Sequence, residues 1–210
     1  MLERLRKRVF IYAFIFLIPT LVLFPSTDLE KTPVHVDEPG WIAAGYIHVE
    51  MLIQLLTNPE FNRDLWQQRD SYFHMNGQIG KWLVGIPVWI YFHVTHSSKI
   101  IPHQNLTIAS FSSLTKSLWD ELHQNVASTE KMIRISRMSS LFFGILCCFL
   151  VYAVGLLCFN SAVGLISVFL LLINPIFVDA ASRSMTDIFY LFFLLCCLFS
   201  LVLFHKKEKS

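Results

Sequence analysis

The sequence predicts an all-α membrane protein with four transmembrane helices, a large first extracytoplasmic loop containing juxtamembrane helices, and both termini in the cytoplasm. Hydrophobic residues make up 54% of the 210-residue chain and only 15% of its residues are charged, whereas a soluble domain usually carries about 25% charged residues. The apolar residues gather in four long runs, which is typical of bilayer-spanning helices. Basic clusters flank the first and last runs and indicate the orientation.

The apolar runs set the predicted boundaries. Residues 1–24 comprise the basic N-terminus and the first span, and the later spans cover 139–159, 162–178 and 188–204. Only Asn160 and Ser161 separate the second and third spans, which predicts a tight helical hairpin. A cleaved signal peptide is the alternative for the first run, because basic residues precede a short apolar core. The absence of a small-x-small cleavage pattern after this run favours an uncleaved anchor.

The basic flanks predict the side of the membrane that each segment faces, because Lys and Arg are retained on the cytoplasmic side. Both termini, including the tail 205–210, are therefore predicted to be cytoplasmic, and the loops 25–138 and 179–187 to face the other side. The basic flanking residues are Arg4, Arg6, Lys7 and Arg8 at one end and Lys206, Lys207 and Lys209 at the other. Three basic residues before the second span, Lys131, Arg134 and Arg137, oppose this orientation, but the rule weakens for loops longer than about 60 residues.

The large loop is predicted to be structured, because it is rich in Trp, Phe, Ile and Leu. Residues 41–56 are predicted to form a helix, with Pro39 near its first turn and an acidic residue near its cap. A second apolar segment, 78–94, contains Gly85 and Pro87 and is shorter than a span, so we expect a helix in the membrane interface.

Composition also excludes several kinds of site. All five cysteines lie in apolar runs, so the loop has neither a disulfide framework nor a Cys-based zinc site. His93 and His96 form a lone i, i+3 pair, whereas zinc usually needs three or four protein ligands. The net charge of +2 argues against a nucleic-acid partner.

Two segments of the loop contain candidate chemical groups. Asp37 and Glu38 are adjacent carboxylates that follow the first span, and such a group acts as a general base or holds a divalent cation. The alternative is a helix cap. The segment 74–81 contains His74 and a Gly-rich turn, and places Lys81 in the first turn of the next helix, which suits a phosphate. The alternative is a Lys that extends from an interfacial helix to the headgroups.

The short outer loop before the last span contains the third candidate. Arg183 and Asp187 lie there, and an Arg can neutralise a phosphate with two hydrogen bonds. The alternative is that Asp187 or Thr186 caps the last helix.

These constellations, in this order, resemble the N-terminal part of C-type-fold membrane glycosyltransferases, in the superfamily of protein O-mannosyltransferases and lipid-A aminoarabinose transferases. In that family an acidic pair follows the first span, as Asp37 and Glu38 do. A His-Pro-Pro-Leu-Gly-Lys segment follows, which corresponds to 74–81 but without the double proline. An Arg opens the second span, as Arg137 does, and an Arg…Asp element ends a later outer loop, as Arg183 and Asp187 do.

The resemblance implies a glycosyltransferase that moves a sugar from a polyprenyl or dolichyl phosphate to an acceptor hydroxyl on the extracytoplasmic side, with inversion. Asp37 is then the base, Glu38 supports the site, and Asp187 holds the acceptor. Lys81 and Arg183, with His74 and Arg137, bind the donor phosphate.

The same resemblance leaves a divalent cation open, with Asp37 and Asp187 as its ligands if one is used. It implies a lipid-linked sugar donor and membrane lipids as partners, and a second polypeptide that supplies further transmembrane helices. The location is the plasma or inner membrane in a prokaryote and the endoplasmic reticulum in a eukaryote. The alternatives are a non-catalytic four-span subunit or scaffold of a glycosylation complex and, ranked below it, a small transporter.

Overall fold

The computed structural model describes residues 17–27, 33–57, 78–95, 116–117, 120 and 127–208. Within these ranges the regular structure is entirely helical, which confirms the all-α prediction. Helical residues 17–23 lead into a 3-10 turn at Phe24–Thr27. The α-helices that follow are α1 (Glu38–Thr57), α2 (Gln78–Thr95), α3 (Ala127–Cys158), α4 (Ser161–Leu172), α5 (Pro175–Ser182) and α6 (Asp187–Glu208).

The chain divides into two compact units. The span unit comprises Met1–Thr32, Ser140–Ser182 and Asp187–Ser210, and the loop unit comprises Pro33–Ser139 and Arg183–Thr186. Helix α3 contributes its residues up to Ser139 to the loop unit and the rest to the span unit.

Two helices among the described residues are long and apolar enough to cross a membrane, Thr129–Cys158 and Asp187–Glu208. They cover the predicted fourth span and the predicted second span except for its last residue, Phe159. Helix α3 begins at Ala127 rather than at Ser139, so it extends well beyond the apolar run. Most of the predicted first span lies outside the described residues.

The third predicted span differs from the expected single helix over 162–178. Helices α4 and α5 meet at a 72° bend, so this segment is either a broken span or a re-entrant loop. Pro175 has no N–H and opens α5, which is where a helix tolerates proline. Asn174 caps α5, because its Oδ1 accepts hydrogen bonds from the N–H groups of Ile176 (2.9 Å) and Phe177 (3.3 Å).

Small residues allow close helix packing within the span unit. A Cβ on Gly155 would lie 2.7 Å from Cα of Gly164, and a Cβ on Gly144 would lie 2.8 Å from Cβ of Ala181. Such contacts are typical of helices that pack inside membranes, where close approach replaces the hydrophobic effect.

Helices α1 and α2 of the loop unit pack in parallel and cross at two glycines. Lys81 lies against Trp41, and four residues further along each helix Gly85 lies against Gly45. A Cβ on Gly85 would overlap the backbone oxygen of Gly45. Because the contacting residues advance together along both helices, the two N-terminal ends lie side by side. This crossing brings the start of α1 and the start of α2 together.

We predict that Gly85→Ala destabilises the protein by about 1–3 kcal/mol, because the added methyl group forces the two helix backbones apart. Thermal unfolding in detergent or bicelles measures the loss. Gly40→Ala is the matched control, since a Cβ on Gly40 meets nothing within 4 Å. Equal melting temperatures for the wild type and the Gly85 variant would contradict the crossing.

Candidate functional site

The start of α1 is built around the Glu38 carboxylate. The Glu38 N–H donates to the carbonyl of His35 at 3.0 Å, and Glu38 Oε2 accepts the N–H of His35 at 2.8 Å. These two hydrogen bonds close a tight turn over residues 35–38 and fix the entry of the chain into the helix. The carbonyl of Asp37 accepts the N–H of Trp41 at 3.0 Å, so Asp37 is the N-cap residue. The acidic pair thus occupies the N-cap position and the first residue of α1.

Arg137 of α3 holds the same carboxylate with two hydrogen bonds. Its Nε donates to Glu38 Oε1 at 2.9 Å and its Nη2 to Oε2 at 2.8 Å. Both side chains are completely buried. A charged pair is retained in such a place only when geometry and further hydrogen bonds repay its desolvation. The contact joins two positions that are 99 residues apart in sequence.

The segment that precedes α6 adds two hydrogen bonds near the Glu38 carboxylate. The Ser184 N–H donates to Glu38 Oε1 at 2.8 Å, and Arg183 Nη1 donates to the carbonyl of Pro33 at 2.8 Å. Glu38 therefore accepts hydrogen bonds from three separate parts of the chain. We call Pro33, His35, Glu38, Arg137, Arg183 and Ser184 the Glu38 cluster.

The two adjacent acidic residues have opposite environments. Glu38 is completely buried, whereas 52% of the Asp37 side chain is exposed. The Asp37 backbone N–H donates to Nδ1 of His35 at 3.2 Å, which anchors the backbone while the carboxylate faces solvent. An exposed carboxylate on a fixed backbone can accept a proton from a substrate hydroxyl or contribute a ligand to a cation.

Lys81 lies at the same end of the α1–α2 pair. Its ammonium group is 5.6 Å from the ring centroid of Trp41, and the residue is only 1% exposed. Burial lowers the pKa of Lys81 from 10.5 to about 8, because desolvation disfavours the charged form. An anion such as a phosphate interacts strongly with an ammonium group in such a low-dielectric setting.

The remaining predicted residues are placed as follows. Arg183 is partly exposed, and one of its N–H groups is used by Pro33. Asp187 is an exposed residue in the first turn of α6 and belongs to the span unit. His74 lies outside the described residues. Over the ranges that the structure describes, no three or more His, Cys, Asp or Glu side chains are grouped so that they could hold a metal ion.

A second buried polar group was not expected from the sequence. On the far side of the glycine crossing, Glu50 Oε2 accepts the indole N–H of Trp89 at 2.6 Å and lies 3.8 Å from Nε2 of His93. Burial and the Glu50 charge raise the pKa of Tyr46 to about 12. The sequence does indicate this buried group, because Glu50 is the only charged residue in the apolar stretch 41–56.

Residues 129–210 match the model of a family described as dolichyl-phosphate-mannose-protein mannosyltransferase. The resemblance predicted from the sequence is thus confirmed for this region. Arg137, Arg183 and Asp187 lie inside the match, whereas Asp37, Glu38 and Lys81 precede it. No curated protein and no solved structure matches the chain. Over these residues the chain is similar to a family of membrane glycosyltransferases, and two of the described helices are long and apolar enough to cross a membrane.

We predict that Arg137→Met lowers the free energy of unfolding by about 3–5 kcal/mol, because the Glu38 charge is left buried without its cation. Thermal unfolding of the purified protein measures the loss. Lys131→Met is the matched control, since this exposed Lys lies on the same helix. Similar losses in the two variants would contradict a dominant Glu38–Arg137 pair.

Proposed function

We propose that this protein transfers a sugar from a polyprenyl- or dolichyl-phosphate donor to an acceptor hydroxyl on the extracytoplasmic side of the membrane. The observation that carries the proposal is the contrast between the two adjacent carboxylates, of which one is buried and the other is exposed. Glu38 is saturated by Arg137 and by backbone N–H groups, which leaves the neighbouring Asp37 carboxylate exposed at a fixed position. The family match over residues 129–210 supplies the chemical class.

Asp37 acts as the general base in the proposed reaction. It takes the proton of the acceptor hydroxyl while the hydroxyl oxygen attacks the anomeric carbon of the donor. The bond between that carbon and the phosphate oxygen breaks, and the lipid phosphate leaves from the opposite face, so the configuration inverts. Glu38 and Arg137 are positioning residues in this proposal, because Arg137 holds the Glu38 carboxylate and Glu38 in turn holds the His35 N–H beside Asp37.

Lys81 and Arg183 stabilise the phosphate as its negative charge develops. The two cations are suited to different parts of this task. The buried Lys81 ammonium acts as a strong point charge, whereas the guanidinium of Arg183 offers several N–H donors, one of which anchors it to Pro33. The apolar tail of the donor remains in the bilayer, so the reaction takes place at the membrane surface.

A non-catalytic subunit of a glycosylation complex is the second candidate function. The observation that favours it is that the completely buried Glu38–Arg137 pair has the character of a structural contact, in which each charge is the partner of the other. The same family match accommodates both candidates, and substitution of Asp37 distinguishes between them.

We predict that Asp37→Asn lowers sugar transfer by about 10²–10⁴-fold, because the amide cannot accept the hydroxyl proton. The assay uses the full chain in proteoliposomes with lipid-phosphate-linked sugars and a hydroxyl acceptor, and it follows product formation. Asp120→Asn is the matched control, since Asp120 is exposed. Transfer at the wild-type rate by the Asp37 variant would refute its role as base, and no transfer by the wild type would favour the subunit.

We predict that kcat/KM for the donor falls as pH rises through about 8, because the free enzyme loses the Lys81 charge above its lowered pKa. Below that pH the ammonium is charged and the donor binds fully. In Lys81→Arg we expect no fall in kcat/KM near pH 8, since a guanidinium stays charged across the range. If kcat/KM of the Lys81→Arg variant fell near pH 8 as in the wild type, the titrating group would be a different one.

A further inference from the structure

The part of α3 that precedes its apolar stretch presents a basic face. Lys131 and Arg134 are exposed and lie three residues apart. Met138 and Phe142 continue the same helix face at intervals of four residues and are 44% and 57% exposed. The third basic residue of this stretch, Arg137, points elsewhere and is buried against Glu38. Exposed cations and exposed apolar side chains therefore follow one another along a single face.

The length of α3 sets the membrane depth of this face. The apolar stretch 139–158 spans about 30 Å at 1.5 Å per residue, which equals the thickness of a hydrocarbon core. The preceding turns of α3 therefore extend beyond the core. Arg134 and Lys131 are about 6 and 10 Å beyond Met138 along the helix axis. That is roughly the depth of the headgroups, which occupy about 5–8 Å on each side of the core.

We propose that Lys131 and Arg134 bind the headgroup phosphates of anionic phospholipids, while Met138 and Phe142 contact the acyl chains of the same lipids. Charge complementarity supports this occupant, since each Lys or Arg near an anionic surface contributes about 1 kcal/mol of attraction. The flexible side chains of Lys and Arg reach the phosphates while their stems cover apolar surface.

This assignment gives Lys131 and Arg134, two of the three basic residues that precede the second span, a function in lipid binding, while the third, Arg137, is paired with Glu38. These residues oppose the predicted orientation only if their charges act to keep this part of the chain in the cytoplasm. As phospholipid-binding residues they are compatible with an extracytoplasmic location. The inference needs a membrane-spanning α3 and does not rest on the transferase reaction.

The test uses the full chain in nanodiscs of phosphatidylcholine, with and without phosphatidylglycerol. Native mass spectrometry counts the lipids that each protein retains. In Lys131→Gln and in Arg134→Gln we expect the preference for phosphatidylglycerol to fall roughly fivefold, and in the double variant roughly 25-fold, because the two contributions to the free energy add. Lys116→Gln is the matched control, since it removes the same charge from another exposed position and should leave the preference unchanged.

Three results would overturn the proposal. They are an unchanged phosphatidylglycerol preference in the double variant, an equal loss in the Lys116 control, and a loss seen only with polyprenyl phosphate added to the nanodisc. The last result would assign the face to the donor lipid. The melting temperature of each variant separates lost lipid binding from unfolding. The substitutions Met138→Leu and Phe142→Leu, which change no charge, should leave the preference for phosphatidylglycerol unchanged.

Discussion

The buried ion pair between Glu38 and Arg137 is the interaction on which the loop unit depends. Two charges that are fully removed from water are stable only if each is closely matched, and here the match involves both carboxylate oxygens. The pair joins the start of α1 to α3, and the Ser184 N–H adds the segment before α6. Three stretches that are distant in sequence are therefore held by one carboxylate.

This pair leaves the two adjacent acidic residues in different environments. Because Glu38 is occupied, its neighbour Asp37 is the member of the pair that faces solvent. The glycine crossing of α1 and α2 places Lys81 at the same end, against Trp41. A fixed carboxylate and a partly desolvated cation are thus built on one pair of helices, and rigid helices hold such groups more precisely than loops do.

The span unit follows different rules, because its helices pack through small residues and expose apolar side chains. Gly155 against Gly164 and Gly144 against Ala181 bring backbones close, whereas Leu194, Leu201 and Phe204 of α6 face outward. The bend at Asn174 and Pro175 interrupts one apolar run. The Asn174 side chain satisfies the N–H groups that the bend releases, as a bilayer requires.

The sequence by itself determined the helical class, the apolar runs, the starts of α1 and α2, and the identity of the candidate residues. Local patterns suffice for these, because helix caps and apolar periodicity act over a few neighbouring residues. Only the tertiary structure decided that Arg137 pairs with Glu38, that Asp37 is the exposed member of the pair, and that Lys81 is buried against Trp41. These outcomes depend on contacts between residues 40 to 146 positions apart, and no local pattern specifies which partner a buried charge will find.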